Sequence, residues 1–312
     1  MRAVGVNSYG GPEALEVVEL PEEQAGPGEV RLRVLAAAVN PTDTLARNGS
    51  RVETQKMDPF PYVPGMDAAG VVDQVGSEVT TGVSVGDAVM AMVVPRGAHG
   101  AYREKIVLQG SSVVPAPTGF SHAQVCTLPM NGLTATLSLD LLGLEPGQVL
   151  AVTGGAGAYG GYMIELGKAA GLTVISDSSK SDISLVKELG ADIVVPRGDD
   201  FAEKVRGRFP NGVDGLADGA VLNDLAIGAV RDGGAFTSVR GFRPSGIRSI
   251  NFTTTFVTAL NGDYEKLDAL RKYAENGTVT LRVAETFPAE NASEAHARLE
   301  AGGTRGRCVI TF

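Results

Sequence analysis

The stretch VLAVTGGAGAYGGYMIELGKAAG, residues 149–171, decides the fold of this chain. A short apolar run ends in glycines, and a segment with helical spacing follows directly. Gly155, Gly157 and Gly160 stand in G-x-G-x-x-G spacing, which allows a tight turn, a close approach to a pyrophosphate and helix packing on the strand. The stretch therefore predicts a dinucleotide-binding strand–turn–helix, with the phosphates at the helix N-terminus. A purely structural glycine turn is the alternative reading of the spacing.

The residues around this loop alternate between strands and helices, which is typical of βαβ units and a parallel sheet. We predict a Rossmann-type, doubly wound domain over residues 117–277. Its first helix is predicted over residues 122–143, and its last strand, IRSINFTT at 247–254, is predicted at the sheet edge. An exposed edge can pair with another chain, so we predict a homodimer through this strand.

Residues 1–116 contain short strands broken by Gly and Pro, which favours a compact, mostly antiparallel β domain. The tail, residues 278–312, contains a strand, a helix and a final strand, and we expect it to rejoin the first domain. The predicted fold class is therefore α/β, with a discontinuous β domain and a doubly wound parallel-sheet domain.

The stretch TVISDSSKSD, residues 173–182, bears on which dinucleotide is bound. Asp177 ends the second strand of the predicted sheet, where a carboxylate holds the ribose of NAD. Ser178, Ser179 and Lys180 instead offer hydroxyl donors and a cation for a 2′-phosphate, and Arg197 after the next strand can reach the same edge. A helix N-cap for Asp177 and a solvated surface lysine for Lys180 are alternatives. We favour NADP (NADPH) and keep NAD open.

Composition limits the classes of partner. The formal net charge is −9 and no block of Lys and Arg is present, so we expect no nucleic-acid or membrane partner. No apolar run reaches the roughly 18 residues of a membrane span, and the N-terminus lacks a secretory pattern. We expect a cytoplasmic protein. Two distant cysteines predict neither a disulfide framework nor a zinc cluster.

Further motifs carry a family resemblance. The chain resembles the zinc-independent quinone oxidoreductase branch of the medium-chain dehydrogenase/reductase (MDR) superfamily in AAAVNPTDTLARNG (36–49), VGDAVMAM (85–92), LPMNGLTA (128–135), VTGGAGAYGG (152–161), VKELGAD (186–192) and EAHARLEAGGTRGRCVITF (294–312). The resemblance implies a GroES-like β domain, residues 1–116 together with 278–312, and a Rossmann domain. It also implies transfer of hydride from NADPH to a quinone or another conjugated carbonyl.

The resemblance also implies roles for single residues. Asn40 would face the substrate and the nicotinamide, although it is also a turn former before Pro41. Thr134 would lie near the nicotinamide ribose. Tyr62 is a candidate proton donor by residue type, although in the family this segment more often serves packing, and water is the alternative proton source for a quinone.

Two further groups of cofactor contacts follow from the same resemblance. Ala158 and Tyr159 would belong to the pyrophosphate turn, where Tyr159 replaces the usual small aliphatic residue. Val239, Arg240 and Gly241 would contact the nicotinamide, with Arg240 able either to bind an anionic or carbonyl-rich substrate or to form a salt bridge.

Zinc ligands are missing from the resembling positions, which read Asn40, Met66 and Asn131. We therefore predict that the protein holds no metal. We also predict that hydride is donated to an acceptor that is already electrophilic. The alternatives are an enoyl or 2-alkenal double-bond reductase and a non-catalytic NADPH-binding redox sensor. The loops at 47–61 and 239–249 are expected to shape the substrate pocket.

Overall fold

The computed structural model describes residues 1–50 and 61–312. These residues form two compact units. The first unit comprises residues 1–130, 260–276 and 281–312, and the second comprises 131–259 and 277–280. Most of the loop at 47–61, which is expected to shape the pocket, lies outside the described residues.

The described residues form the following strands and α-helices, each numbered in chain order. The strands are β1 (Arg2–Gly5), β2 (Glu16–Glu19), β3 (Glu29–Ala38), β4 (Asp67–Val75), β5 (Ala88–Met92), β6 (Lys105–Gln109), β7 (Val113–Pro115), β8 (Val149–Thr153), β9 (Thr173–Ser178), β10 (Ile193–Pro196), β11 (Val213–Asp218), β12 (Val230–Ser238), β13 (Asn251–Thr254), β14 (Val283–Pro288) and β15 (Arg307–Thr311). The α-helices are α1 (Pro41–Arg47), α2 (His122–Val125), α3 (Pro129–Leu142), α4 (Ala158–Ala169), α5 (Ile183–Glu188), α6 (Phe201–Arg206), α7 (Asp224–Ile227), α8 (Tyr264–Glu275) and α9 (Ala292–Glu300).

The first unit is built on a seven-stranded sheet in the order β14-β15-β3-β4-β5-β7, with β6 also pairing with β3. All its pairs are antiparallel except β14 with β15. Alternating buried residues of β3, including Val30, Leu32 and Val34, contribute to its core. Strands β14 and β15 come from the end of the chain and belong to the first unit.

The second unit holds a six-stranded parallel sheet in the order β10-β9-β8-β11-β12-β13. This is the doubly wound order, with the direction of winding reversing between β8 and β11. The predicted fold class is confirmed. The predicted edge position of the strand at 247–254 is also confirmed, since β13 pairs with β12 at one end of the sheet.

Two boundaries differ from the expectations. The helix predicted at 122–143 is divided into α2 and α3, because Pro129 has no backbone N–H to continue a helix and instead begins the next one. The compact units also divide elsewhere than at 116/117 and 277/278. Part of the reason is that Glu275 of α8 accepts hydrogen bonds from Thr118, which attaches this helix to the first unit. The predicted domain bounds remain predictions.

Among the described residues, no helix is both long enough and apolar enough to cross a membrane.

Candidate functional site

The glycine turn between β8 and α4 leaves no room for side chains at two of its positions. A Cβ at Gly155 would lie 3.0 Å from Cδ1 of Ile164 and closer still to Oγ of Ser176. A Cβ at Gly160 would lie 2.7 Å from the carbonyl carbon of Gly154. The backbone at Gly157 is extended and caps α4, so the first N–H groups of a 12-residue helix follow the turn. This geometry fits a pyrophosphate.

Asp177 lies in β9 and directs its carboxylate at the glycine turn. Its side chain is 2% exposed, its Oδ1 accepts a hydrogen bond from the Gly154 N–H at 2.5 Å, and its Oδ2 lies 3.3 Å from Nε of Arg197. The helical turn that follows begins after Ser179, so Asp177 is not its N-cap. Each carboxylate oxygen therefore already has one partner within the second unit.

Donors surround the end of β9. Ser178 is buried, and its hydroxyl has no hydrogen-bond partner among the described residues. Ser179 contacts the Ser181 hydroxyl and donates to Asp182, whereas Lys180 is exposed. Arg197 is half exposed and uses only its Nε on Asp177. A buried hydroxyl without a partner is costly, and an anionic ligand here would satisfy it.

The other predicted contacts lie after β12, in α3 and at the start of α4. Val239, Arg240 and Gly241 follow β12, with Arg240 exposed and Gly241 at a φ of +82°. Thr134 is buried in α3. Ala158 and Tyr159 open α4, and the Tyr159 hydroxyl lies 2.8 Å from Oγ of Ser138. No local sequence pattern links Tyr159 to Ser138, which lies 21 positions earlier.

Asn40 occupies a buried polar site in the first unit. It is fully buried, and its Nδ2 donates to Oδ2 of Asp67 at 2.9 Å. Its Oδ1 accepts from Nη2 of Arg307 at 2.5 Å, and the same nitrogen lies 3.4 Å from Oδ2 of Asp67. Asp67 and Arg307 thus fix the orientation of the Asn40 amide. Its predicted contact with substrate stays a prediction, and its place directly before α1 agrees with the alternative turn role.

A second buried chain of polar groups lies beside it. Asp43 accepts from the N–H groups of Asn40 and Gly65 and from the Tyr102 hydroxyl. Burial raises the pKa of Asp43 to about 6 and also raises that of Tyr102. Tyr62, the candidate proton donor, is buried, and its backbone pairs with Val6.

The residues at the resembling metal positions do not suit zinc. Asn40 is already bonded to the Arg307 cation, and the Met66 sulfur accepts from Thr42 at 3.2 Å. No group of three or more His, Cys, Asp or Glu side chains in the described part of the chain could hold a metal ion. These donors do not fit zinc, which prefers thiolate, imidazole or carboxylate.

Comparison with known families decides the affiliation. Residues 26–118 match the alcohol dehydrogenase GroES-like domain, and residues 189–310 match the family described as zinc-binding dehydrogenase. A 2-methylene-furan-3-one reductase of Solanum lycopersicum is 30% identical over 99% of this chain and 79% of its own length. The chain belongs to the medium-chain dehydrogenase/reductase superfamily. The sequence-based assignment to this superfamily is confirmed, and this MDR protein is an oxidoreductase.

Other relatives of the MDR protein differ in their named cofactor and acceptor. A chloroplastic NADPH-dependent alkenal/one oxidoreductase of Arabidopsis thaliana is 30% identical over 99% of the chain and 79% of its own length. A quinone oxidoreductase of Pseudomonas aeruginosa is 29% identical over 97% of both chains.

Solved structures agree on the fold over the whole length. An NAD-dependent alcohol dehydrogenase is similar with a TM-score of 0.89, 29% identity and 100% coverage of both chains. A mycobacterial protein solved with NADPH is similar with a TM-score of 0.88, 27% identity and 100% coverage of both chains. The MDR fold is therefore common to relatives named for either dinucleotide.

Proposed function

We propose that this MDR protein is an NADPH-dependent reductase that delivers hydride to a conjugated carbonyl, either a quinone or an α,β-unsaturated aldehyde or ketone. The choice of NADPH rests on the burial and the contacts of the Asp177 carboxylate. Its carboxylate is buried, and its oxygens are held by Gly154 and Arg197, so it is poorly placed to accept from ribose hydroxyls.

A 2′-phosphate would find donors at the same edge. Among the described residues, the Ser178 hydroxyl has no partner, Lys180 is exposed and Arg197 bonds Asp177 through Nε alone, so they supply a hydrogen-bond donor and two cations. Hydrogen bonds from cations to a phosphate are about twice as strong as neutral ones. The structure of the relative with bound NADPH and the NADPH-dependent relative of Arabidopsis thaliana support this choice.

The acceptor class follows from the chemistry of the site residues and from the relatives. Without a fitting set of zinc donors, stabilisation of an alkoxide by a Lewis acid is not part of the account, and an acceptor that is already electrophilic suits the chain better. The relatives named above include reductases of enones, alkenals and quinones. When bound, the cofactor supplies the hydride. The glycine turn holds its pyrophosphate, and the donors after β9 hold its 2′-phosphate.

Paired fluorescence titrations with NADPH and NADH test the cofactor choice. In the wild type we expect tighter binding of NADPH, and we expect Lys180→Ala to weaken NADPH binding about three- to tenfold while leaving NADH binding unchanged. Lys187→Ala, an exposed lysine in the last turn of α5, is the matched control. Binding of NADH as tight as that of NADPH, with no effect of Lys180→Ala, would show that Asp177 governs an NAD site.

Steady-state NADPH oxidation tests the acceptor class. The panel contains 1,4-benzoquinone, 9,10-phenanthrenequinone, 2-alkenals, alkenones and saturated aldehydes as controls. We expect turnover with conjugated acceptors and none with saturated ones. Tight NADPH binding without oxidation across the panel would instead indicate a redox sensor, and the proposed activity would be wrong.

The proposed assembly is a homodimer. Strand β13 lies at the edge of its sheet, and Phe256, which follows it, is 58% exposed. An unpaired edge next to an exposed aromatic side chain favours pairing with a second copy. Light scattering should give twice the 32.2 kDa mass of one chain. A mass of one chain at working concentration contradicts the dimer.

A further inference from the structure

Four hydroxyl groups form a continuous chain in the second unit. The Tyr159 hydroxyl lies 2.8 Å from Oγ of Ser138, which lies 2.9 Å from Oγ1 of Thr255. Oγ1 of Thr255 in turn lies 2.9 Å from Oγ1 of Thr237. Ser138, Thr237 and Thr255 are buried. Nothing in the sequence marked these four residues as a group.

The hydroxyl chain lies on one side of the point where the parallel sheet reverses its winding. Thr237 belongs to β12, and Thr255 directly follows β13, so both belong to the half of the sheet opposite β9 and Asp177. In a doubly wound sheet the two halves of a dinucleotide lie on opposite sides of this reversal. Because the donors after β9 serve the adenosine half, the hydroxyl chain lies on the nicotinamide side.

The hydroxyl chain has one hydrogen to spare. Four hydroxyls carry four hydrogens, and the three contacts between them use three. The fourth can lie on any of the four hydroxyls, because each contact can be donated from either side, and the end groups Tyr159 and Thr237 show no further partner among the described residues. Ser138, Thr237 and Thr255 are buried whereas Tyr159 is half-buried, so an outside acceptor reaches the hydroxyl chain at Tyr159.

The Tyr159 ring is also held in place by packing. A Cβ at Gly219 would lie 2.6 Å from Cδ1 of the ring, so this glycine, just after β11, makes room for it. Tyr159 is the second residue of α4 and thus part of the cofactor turn. Burial raises the pKa of Tyr159 above its ordinary value of 10.0, which keeps the phenol protonated as a donor at neutral pH.

We propose that Tyr159 binds the nicotinamide half of the dinucleotide by donating its phenolic hydrogen to an oxygen of that half, and that Ser138, Thr255 and Thr237 position the phenol. The acceptor is a carboxamide or ribose oxygen, since both present lone pairs. This inference rests on the proposed function, because it requires a nicotinamide cofactor.

Fragment binding tests the assignment without turnover. Isothermal titration of the apoprotein uses two probes, reduced nicotinamide mononucleotide and adenosine 2′,5′-bisphosphate, with NADPH as reference. We expect Tyr159→Phe to weaken the mononucleotide about three- to tenfold and to leave the adenosine probe unchanged. Tyr273→Phe, on the exposed side of α8, is the matched control and should change neither.

Ser138→Ala separates donation from positioning. This variant keeps the Tyr159 hydroxyl but removes its neighbour, so we expect a smaller loss of mononucleotide binding than with Tyr159→Phe. An equal loss in both variants, an equal loss of both probes with Tyr159→Phe, or no loss with Tyr159→Phe would overturn the inference. Failure of the wild type to bind NADPH would instead contradict the proposed function itself.

Discussion

Tyr102 donates its phenolic hydrogen to Oδ2 of Asp43 across 3.1 Å, although the two residues lie 59 positions apart in the chain. The same phenol lies 3.2 Å from Nε2 of His296, and Nδ1 of His296 lies 3.4 Å from Nη1 of Arg47. Because Arg47 can only donate, Nδ1 must accept, and Nε2 carries the hydrogen that is donated to Tyr102. Each group thus donates to the next, from Arg47 through His296 and Tyr102 to Asp43.

The raised pKa of Asp43 should make the free energy of unfolding depend on pH. Burial raises its pKa from 3.8 to about 6, so the native state binds more protons than the unfolded state between these values. The contribution of Asp43 to stability therefore falls as pH rises from about 4 to about 6, by up to about 3 kcal/mol. Asp43→Asn should gain stability relative to the wild type over this range in urea unfolding. Parallel curves from pH 4.5 to 7.5 would contradict this account.

His296 should remain neutral and of one tautomer. Burial, with a smaller effect of the Arg47 charge, lowers its pKa from 6.5 to about 3. Its contribution to stability is therefore kept above pH 6.5 and is lost as the pH falls towards 3, opposite in sign to that of Asp43. Nitrogen-15 shifts of labelled histidine should show a hydrogen on Nε2 and no titration from pH 8 to 5. The half-buried His99 and His122 give comparison signals. A midpoint near 6.5 for His296 would be inconsistent with this environment.

Arg307 should stabilise the first unit mainly by compensating Asp67. Its guanidinium is 4% exposed, whereas the Asp67 carboxylate is fully buried. Arg307→Met would leave that carboxylate without its cation, and we expect a loss of about 3–5 kcal/mol in the free energy of unfolding. Adding Asp67→Asn should restore part of the loss. Arg298→Met, which removes a partly exposed arginine of α9, is the control. A double variant no more stable than Arg307→Met would show that the pair is not coupled.

Gly160→Ala should disrupt the cofactor turn. The added methyl would meet the backbone of Gly154, which cannot move away as a flexible side chain would. We expect a loss of about 1–3 kcal/mol in stability and loss of NADPH binding. Gly207→Ala is the matched control, since its Cβ would be 3.4 Å from the nearest atom at an ordinary helical φ. Unchanged NADPH binding by Gly160→Ala would argue against a phosphate cradle at this turn.

Local patterns predicted the second unit well. The glycine spacing at 155–160 and the alternation of strands and helices are set by neighbouring residues, so the sheet of β8 to β13 follows from them. The helix at 122–143 was predicted as continuous because apolar spacing persists through Pro129, although proline begins a new helix there.

The buried polar residues could not be predicted in the same way. Asp67 and Arg307 are 240 positions apart, and no local pattern joins them. The residue type of Asp177 indicated a ribose ligand, but its role depends on the Gly154 N–H and on Arg197, whose positions only the folded sheet determines. The hydroxyl chain at Tyr159 likewise joins two helices, strand β12 and the residue that follows β13. Predictions from residue type therefore give the chemistry of a group and not its partners.

The central claim is hydride transfer from NADPH to a conjugated carbonyl, and isotope transfer tests it most directly. The protein would be incubated with an alkenone and NADPH deuterated at C4 of the reduced nicotinamide, on each face in turn, and the product analysed by mass spectrometry. We predict one deuterium on the β-carbon with one face of the cofactor and none with the other. A saturated product without deuterium from either face, or no turnover of alkenones and quinones alike despite tight NADPH binding, would contradict the account.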